Sequence, residues 1–381
     1  MINYSPTYKA AKEVSKVIEK HFRTQIDAAH RRGDPDIAFP PDAAVIETVI
    51  DVAFWASLKK EEGYSTRISI AILPPEQTDN PLLFENILPL TSDMLTKLSP
   101  GVERPGVHLG VWYEGEKIFV WGATMKIPNL CFVLDVPEPG LLVIKHRRIE
   151  GFGKLSNVAV LVGDQIKMVD EATANVPDCP SLVESLLRIN SATSLENSVN
   201  VLLQLAVSMR AHKRGGTLLV VPSVNDQWRK SIRHPIHYSV SPFFSGLSKL
   251  VRFEKEEKNL LNWQNALNRE INIVAGLTAI DGATIMTDDY RLIAFGTKIK
   301  RMDGSPSVEK ILFTEPVVGG PAIVMRPEQT GGTRHLSAAQ FIYDQKEGMA
   351  LVASQDGHFT LYSWSPCENL VHAHRIDALL L

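Results

Sequence analysis

Cysteine is scarce in this sequence, with only Cys131, Cys179 and Cys367. They are odd in number, far apart and without a CxxC pair, which argues against a disulfide framework or a cysteine zinc site. The expectation is a reducing compartment and inert, buried thiols. Charge of one sign is not in excess either: 40 Lys and Arg stand against 43 Asp and Glu, a formal net charge of −3. No global basic field exists to hold a nucleic acid backbone, although a local basic pocket is compatible with that balance. No apolar run reaches the roughly 18–20 residues of a spanning helix. Met1-Ile2-Asn3-Tyr4-Ser5-Pro6 leads into a charged stretch without the apolar centre of a signal peptide. These absences give the expectation of a cytoplasmic chain with neither membrane nor nucleic acid as partner. HExxH, GxSxG and GxGxxG are also missing, and Gly151-Phe152-Gly153-Lys154-Leu155-Ser156 lacks the spacing with which backbone amides wrap a phosphate.

What is present is ordinary globular composition, 44% hydrophobic and 22% charged over 381 residues, enough for two domains with separate cores. Apolar residues at helical spacing (Val14, Val17, Ile18, Phe22, Ile26) predict an amphipathic helix from Thr7 to about Ala29, and a second over 43–60. Strands are expected at Ser69–Leu73, Val107–Trp112, Lys117–Gly122, Leu142–Arg148 and Val158–Met168, the last turned at Gly163-Asp164. Around Glu171–Ser181 the texture changes to Ala, Thr, Asn, Pro and Ser, as in a linker. The expected organisation is therefore an N-terminal α/β domain at 1–180, a linker at 181–195 and a second domain at 196–381. In the second domain, helices are expected at about 194–212 and 249–277, with strands at Thr217–Val221, Ala283–Met286 and Leu292–Phe295. A Pro/Gly-rich insertion at about 300–332, a helix near Arg334–Gln345 and a hairpin of Met349–Ser354 with His358–Trp364 complete it. The fold class is α/β (α+β), a mixed central sheet flanked by helices. His234-Pro235-Ile236-His237 and His372-Ala373-His374 lack Cys or carboxylate partners at zinc spacing and read as surface or packing histidines.

Two segments carry chemistry. Asp281-Gly282-Ala283 enters an apolar strand, where Gly permits close approach of a ligand and Asp offers a carboxylate. Gly331-Gly332-Thr333-Arg334-His335 precedes a helical pattern and puts free amides, a hydroxyl, a guanidinium and an imidazole at the positive end of a helix, a design suited to an anion. The plainer alternative is a glycine-rich entry with Thr333 as N-cap.

The order of these segments, with Arg214-Gly215-Gly216-Thr217 upstream and Ser354-Gln355-Asp356-Gly357 downstream, resembles the diadenylate cyclase domain over residues 196–364. That family carries a DGA motif, a GTRHR motif about 50 residues on, and an SEE-type turn. The front half looks, mainly from its position, like the DACNV sensor domain that precedes some of these modules, with an unknown ligand or protein as its partner. The resemblance implies condensation of two ATP into cyclic di-AMP with release of two pyrophosphates. Asp281, Arg334 and His335 would then be catalytic, with Asp281 and His335 holding Mg²⁺ or Mn²⁺. Gly282, Ala283, Gly332, Thr333 and Ser354 would contact ATP. Because each domain holds one ATP, a homodimer with facing sites is implied. Leu336 departs from the family's second Arg, for which Arg326 in the insertion is a candidate substitute, and Gln355 departs from an acid. A catalytically impaired ATP- or cyclic di-AMP-binding regulatory protein is the alternative.

Overall fold

The computed structural model describes residues 6–79, 81–115, 117–149, 155–169, 201–251 and 261–380. It divides into two compact units, one up to Val169 and one from Asp170 to Leu380. The expected linker at 181–195 lies outside the described residues.

In the N-terminal unit the helical spacing read from Val14, Val17, Ile18, Phe22 and Ile26 forms the helix Lys9–Arg32; four of these side chains are buried, while Val17 faces solvent. It ends at Gly33, whose positive φ of 77° lets its amide reach back to the last carbonyls. The second helix, Ala43–Ser57, contributes Ile46, Val49, Ile50 and Ala53 to the same core. Both pack on an eight-stranded sheet ordered Gln165–Met168, Leu155–Val162, Leu141–Arg147, Phe132–Glu138, Ile68–Ile72, His108–Glu114, Lys117–Thr124 and Leu82–Pro89. Alternation sorts its faces: Ile68, Ile70 and Ile72 face the helices, while Ala71 and Leu73 join a smaller cluster with Trp121, Cys131 and Val133. Asp51 reaches from the second helix to accept the amides of Thr7 and Tyr8 at 2.7 and 2.6 Å, so the first helix is capped from outside its own sequence.

The C-terminal unit is built on a nine-stranded mixed sheet in the order Tyr238–Phe244, Leu292–Thr297, Ala283–Thr287, Gly216–Val221, Met349–Ala353, Phe359–Ser365, Leu370–Arg375, Ile311–Thr314 and Ile323–Met325. Every residue of Gly216–Val221 is buried, because helices cover both faces. Leu218 and Val220 pack with Leu205, Met209, Leu267 and Ile271 of the helices Val201–Ala211 and Leu261–Leu277. Leu219 and Val221 pack instead with Ala338, Phe341 and Ile342 of the helix Thr333–Asp344. The expected α/β class with a mixed central sheet is what the chain adopts. The insertion at 300–332 does more than loop: Ile311–Thr314 and Ile323–Met325 extend the sheet. Helix is described at Gly246–Val251 and Leu261–Leu277; the part of the expected 249–277 helix between them lies outside the described residues. Among the described residues no helix is long and apolar enough to cross a membrane.

Cys131 is a buried free thiol whose ionisation burial pushes well up, as expected of an inert core cysteine. Cys367 is disulfide-bonded, so that expectation does not extend to it. The packing reading of His372 and His374 holds: they are 4% and 1% exposed, and Thr314 Oγ1 bonds to His372 Nε2 at 2.6 Å and His374 Nδ1 at 2.5 Å. One hydroxyl can donate to only one imidazole, so it accepts from the other, and burial keeps both rings neutral. Burial brings their pKa values down to about 4 and about 3. Above the ordinary value near 6.5 both folded and unfolded chains hold neutral rings. As pH falls through that value the unfolded chain takes up protons that the folded one refuses, and stability is lost down to about pH 4. We predict that denaturant melts of the full chain show the C-terminal unit losing on the order of 1–2 kcal/mol per buried histidine between pH 7 and 5. A His374→Asn variant should fall less steeply, and an unchanged pH slope would refute this origin.

Candidate functional site

Strand register brings the motif segments to one edge of the C-terminal sheet. Gly216–Val221 runs parallel to Ala283–Thr287 with Thr217 opposite Ala283, and antiparallel to Met349–Ala353 with Gly216 opposite Ala353. The starting ends of two strands and the finishing end of the third therefore lie side by side. Asp281 and Gly282 lead into one strand, Arg214 and Gly215 into the next, and Ser354 and Gln355 leave the third. The helix Thr333–Asp344 begins at the same edge: a Cβ on Gly215 would lie 3.0 Å from Arg334 Nη1 and 3.3 Å from Gln355 Cγ. Gln355 Nε2 also donates to the Arg214 carbonyl at 3.4 Å.

Asp281 projects its carboxylate into solvent, 86% exposed, and Lys298 Nζ donates to Oδ2 at 2.6 Å. That bond first, then the Lys298 charge, with smaller help from Arg334 and the Gly282 amide, holds its pKa below the ordinary carboxylate range. Gly282 is needed for a reason other than ligand approach. At φ 116°, a Cβ there would lie 2.4 Å from the Gly296 carbonyl carbon and 2.8 Å from the Thr297 amide, so the close neighbour is the adjacent strand. Ala283 is buried as the first residue of its strand, which leaves it a spacer.

At the helix start, Gly332 is the N-cap and Thr333 the first helical residue, which corrects the reading of Thr333 as cap. Thr333 is exposed and Arg334 half-buried. The helix's first intrahelical bonds are those of the His335 and Leu336 amides to the Gly332 carbonyl. Among the described residues, the amides of Gly332, Thr333 and Arg334 find no acceptor, leaving donors at the positive helix end. His335 points the other way, into the core, 3% exposed, with Nδ1 3.0 Å from the Tyr362 hydroxyl. That hydroxyl lies 2.9 Å from Thr330 Oγ1, which donates to the Pro327 carbonyl at 2.7 Å. Burial first, then the charges of Arg375, His358 and Arg334, brings the His335 pKa down to about 4, with Asp377 opposing. His335 is a neutral ring pinned beneath the glycine loop: a Cβ on Gly331 would fall 2.3 Å from its Cδ2.

Ser354 Oγ accepts the Asp356 amide at 3.1 Å inside its own turn, so its hydroxyl already has a structural task. Among the described residues Arg326 makes no hydrogen bond or ion pair with Thr333, Arg334 or His335. It lines a shallow surface cavity with Lys310, Val324, Met325 and Gln329. Leu336 is 36% exposed on the first turn of the helix. Sequence reading missed Lys298, Tyr362 and Arg375, which reach the site through strand register and carry no local motif.

The N-terminal unit has its own polar row across neighbouring strands. Ser69 Oγ donates to Asp135 Oδ1 at 2.5 Å and lies 2.6 Å from His108 Nδ1, and Lys145 Nζ pairs with Asp135 at 2.7 Å. Burial first holds the His108 pKa below its ordinary value. Residues 36–125 match the model of the probable sensor domain DACNV. The match contains Ser69 and His108 and lies wholly in the N-terminal unit. No curated protein matches the chain. The match supports the sensor-type reading of the front half made from its sequence, over residues 36–125.

The glycines yield a paired prediction. Gly282→Ala should destabilise the C-terminal unit by about 1–3 kcal/mol, since backbone atoms must separate and φ is unfavourable. Gly332→Ala, with an ordinary φ of −75° and open space at the Cβ position, should cost under about 1 kcal/mol. Equal losses in thermal melts of the two variants would contradict the packing role of Gly282.

Proposed function

We propose that the C-terminal unit is a diadenylate cyclase, condensing two ATP into cyclic di-AMP and two pyrophosphates, with the sensor-type unit regulating it. The observation that carries this reading is the convergence of Arg214-Gly215, Asp281-Gly282, Thr333-Arg334 and Ser354-Gln355 at one sheet edge, in segments far apart along the chain. A nucleotide triphosphate needs clustered donors and cations, and a hydroxyl nucleophile needs a carboxylate close by. This edge supplies both. The sensor assignment rests on a family match; the cyclase reading rests on this geometry together with the resemblance of the motifs.

In the reaction, the 3′-hydroxyl of one ATP forms a bond to the α-phosphorus of the other, and the bond to the bridging β-phosphate oxygen breaks. Pyrophosphate leaves with that electron pair. Asp281, ionised and reachable from solvent, accepts or directs the hydroxyl proton. Arg334 offers a forked donor to phosphate oxygens, and the free amides of Gly332 and Thr333 bind beside it. The neutral His335 cannot supply charge at pH 7. Its contribution is to fix the loop through Tyr362 and, at most, to lend a ring nitrogen. Lys298 must either release Asp281 or turn to a phosphate when ATP arrives. Two domains facing each other would place each hydroxyl opposite the other's α-phosphorus.

The residues suit a divalent cation shared mainly with the substrate. Asp281 is a hard oxygen donor, and among the described residues no three His, Cys, Asp or Glu side chains gather into a site. Mg²⁺ or Mn²⁺ bound there would neutralise phosphate charge. Asp281 would be its protein ligand, with His335 able to join only through Nε2.

Purified chain incubated with ATP and Mg²⁺ or Mn²⁺ should yield cyclic di-AMP by chromatography, and Asp281→Asn should lower the rate at least about 100-fold. Lys298→Gln should raise the Asp281 pKa and shift the acid limb of the rate profile upward. Binding of ATP or cyclic di-AMP with no product under either metal would instead favour the regulatory binding protein, which Leu336 already makes the alternative.

A further inference from the structure

The edge that would take a triphosphate carries the half-buried Arg334 at the helix start and the exposed Arg214 ahead of Gly215, with an apolar residue, Leu336, one helical step beyond His335. Lys298 is nearby but its ammonium is occupied by Asp281. Beneath the glycine loop lies another cation. Arg375 ends the strand Leu370–Arg375, and its Nη2 donates to the Thr330 carbonyl at 3.4 Å. Its guanidinium carbon lies 5.1 Å from the Phe313 ring centroid. Its Nε is buried and has no hydrogen-bond partner. Among the described residues no carboxylate lies within 4.0 Å of it, unlike Arg23, Arg32, Arg229 and Arg291, which all form ion pairs. A half-buried cation without a counter-ion is costly unless something anionic approaches.

Its contacts lead to the proposed site: the His335 ring sits against Gly331, and the helix start beside it carries Thr333 and Arg334. Thr330, whose carbonyl Arg375 holds, opens that same loop and is tied through Tyr362 to His335.

We propose that Arg375 is a further, uncompensated cation of the anion site, supplying from beneath the glycine loop the positive charge that Leu336 does not provide on the helix. This rests on the reading of the edge as a triphosphate site. Arg375 acts through the loop and its field and is a positioning residue. In the protein without ligand its charge is unbalanced; a phosphate at the loop balances it, and the interior path between them screens little. The geometry thus explains how an arginine can be absent at 336 without leaving the site one charge short.

The test compares full-length protein with Arg375→Lys, Arg375→Met and the double variant Arg375→Met/Leu336→Arg. Calorimetry reads affinity for ATP and, separately, for inorganic triphosphate, while thermal melts confirm that each variant is folded. Arg375→Met should weaken both ligands about tenfold or more, and Arg375→Lys should keep most of the affinity. The double variant should regain affinity, which a loss of loop packing alone would not allow. If folded Arg375→Met binds both ligands like the unaltered chain, Arg375 is structural and this proposal falls while the site reading stands. If the unaltered chain binds neither ligand, the site reading fails and takes this proposal with it. Should Arg375→Met fail to fold, Leu336→Arg alone decides: a gain of affinity well short of tenfold is expected if Arg375 already serves, and a gain of a hundredfold would overturn the proposal.

Discussion

Close approach of backbones at the ends of three central strands is the constraint on which the C-terminal unit depends. A side chain at Gly282 would collide with the Gly296 carbonyl and the Thr297 amide, and one at Gly216 with the Thr278 carbonyl at 2.5 Å. With those glycines in place, Gly216, Ala283 and Ala353 stand side by side. That alignment sets the position of everything chemical: Asp281 lies just before one strand, Gly215 just before another, and Gln355 just after the third. The helix carrying Arg334 is seated by Ala338, Phe341 and Ile342 against the same sheet, so its N-terminus arrives at the same edge. Packing and the site are therefore one problem. A change that loosens the strand ends loosens the groups proposed to bind the nucleotide with them.

Polar groups around the edge fall into two layers with different physics. Asp281, Lys298 and Thr333 face solvent, where charges are screened and side chains can rearrange around a ligand. His335, Tyr362 and Thr330 form a buried, neutral, hydrogen-bonded chain beneath, with Arg375 at its side. Burial raises the Tyr362 ionisation far above physiological pH and lowers that of His335, so this layer keeps one protonation state while the outer one can rearrange. Under the proposed function, such a division would let the loop hold its shape while substrate charge comes and goes.

Much of this was legible in the sequence where the information is local. The periodicity of Val14, Ile18, Phe22 and Ile26 specified a helix because one buried face is all such a helix needs. Gly216–Val221, Ala283–Thr287 and the Met349–Ser365 hairpin were readable as apolar runs between turns. Leu82–Pro89 and Tyr238–Phe244 were not, because they sit at sheet edges with mostly exposed side chains and hence no alternation to read. The helix Ser92–Val102 contains Pro100 and Gly101, which signal a turn locally and were overridden by burial of Leu95 and Val102. The motif residues stand out by their order along the chain, and the fold gives three of them structural tasks that the sequence did not suggest: Gly282 serves strand packing, His335 anchors the loop, and Ser354 closes a turn. Lys298, Tyr362 and Arg375 had no signal at all, since only tertiary register brings them near.

The central claim is that four distant segments make one nucleotide-binding edge. Hydrogen exchange of the full-length protein, with and without ATP and Mn²⁺, tests it most directly. The account predicts that amides of 214–217, 281–283, 331–335 and 354–357 gain protection together, at a single ATP concentration midpoint. Protection confined to one of these segments, or to the N-terminal unit alone, would contradict it.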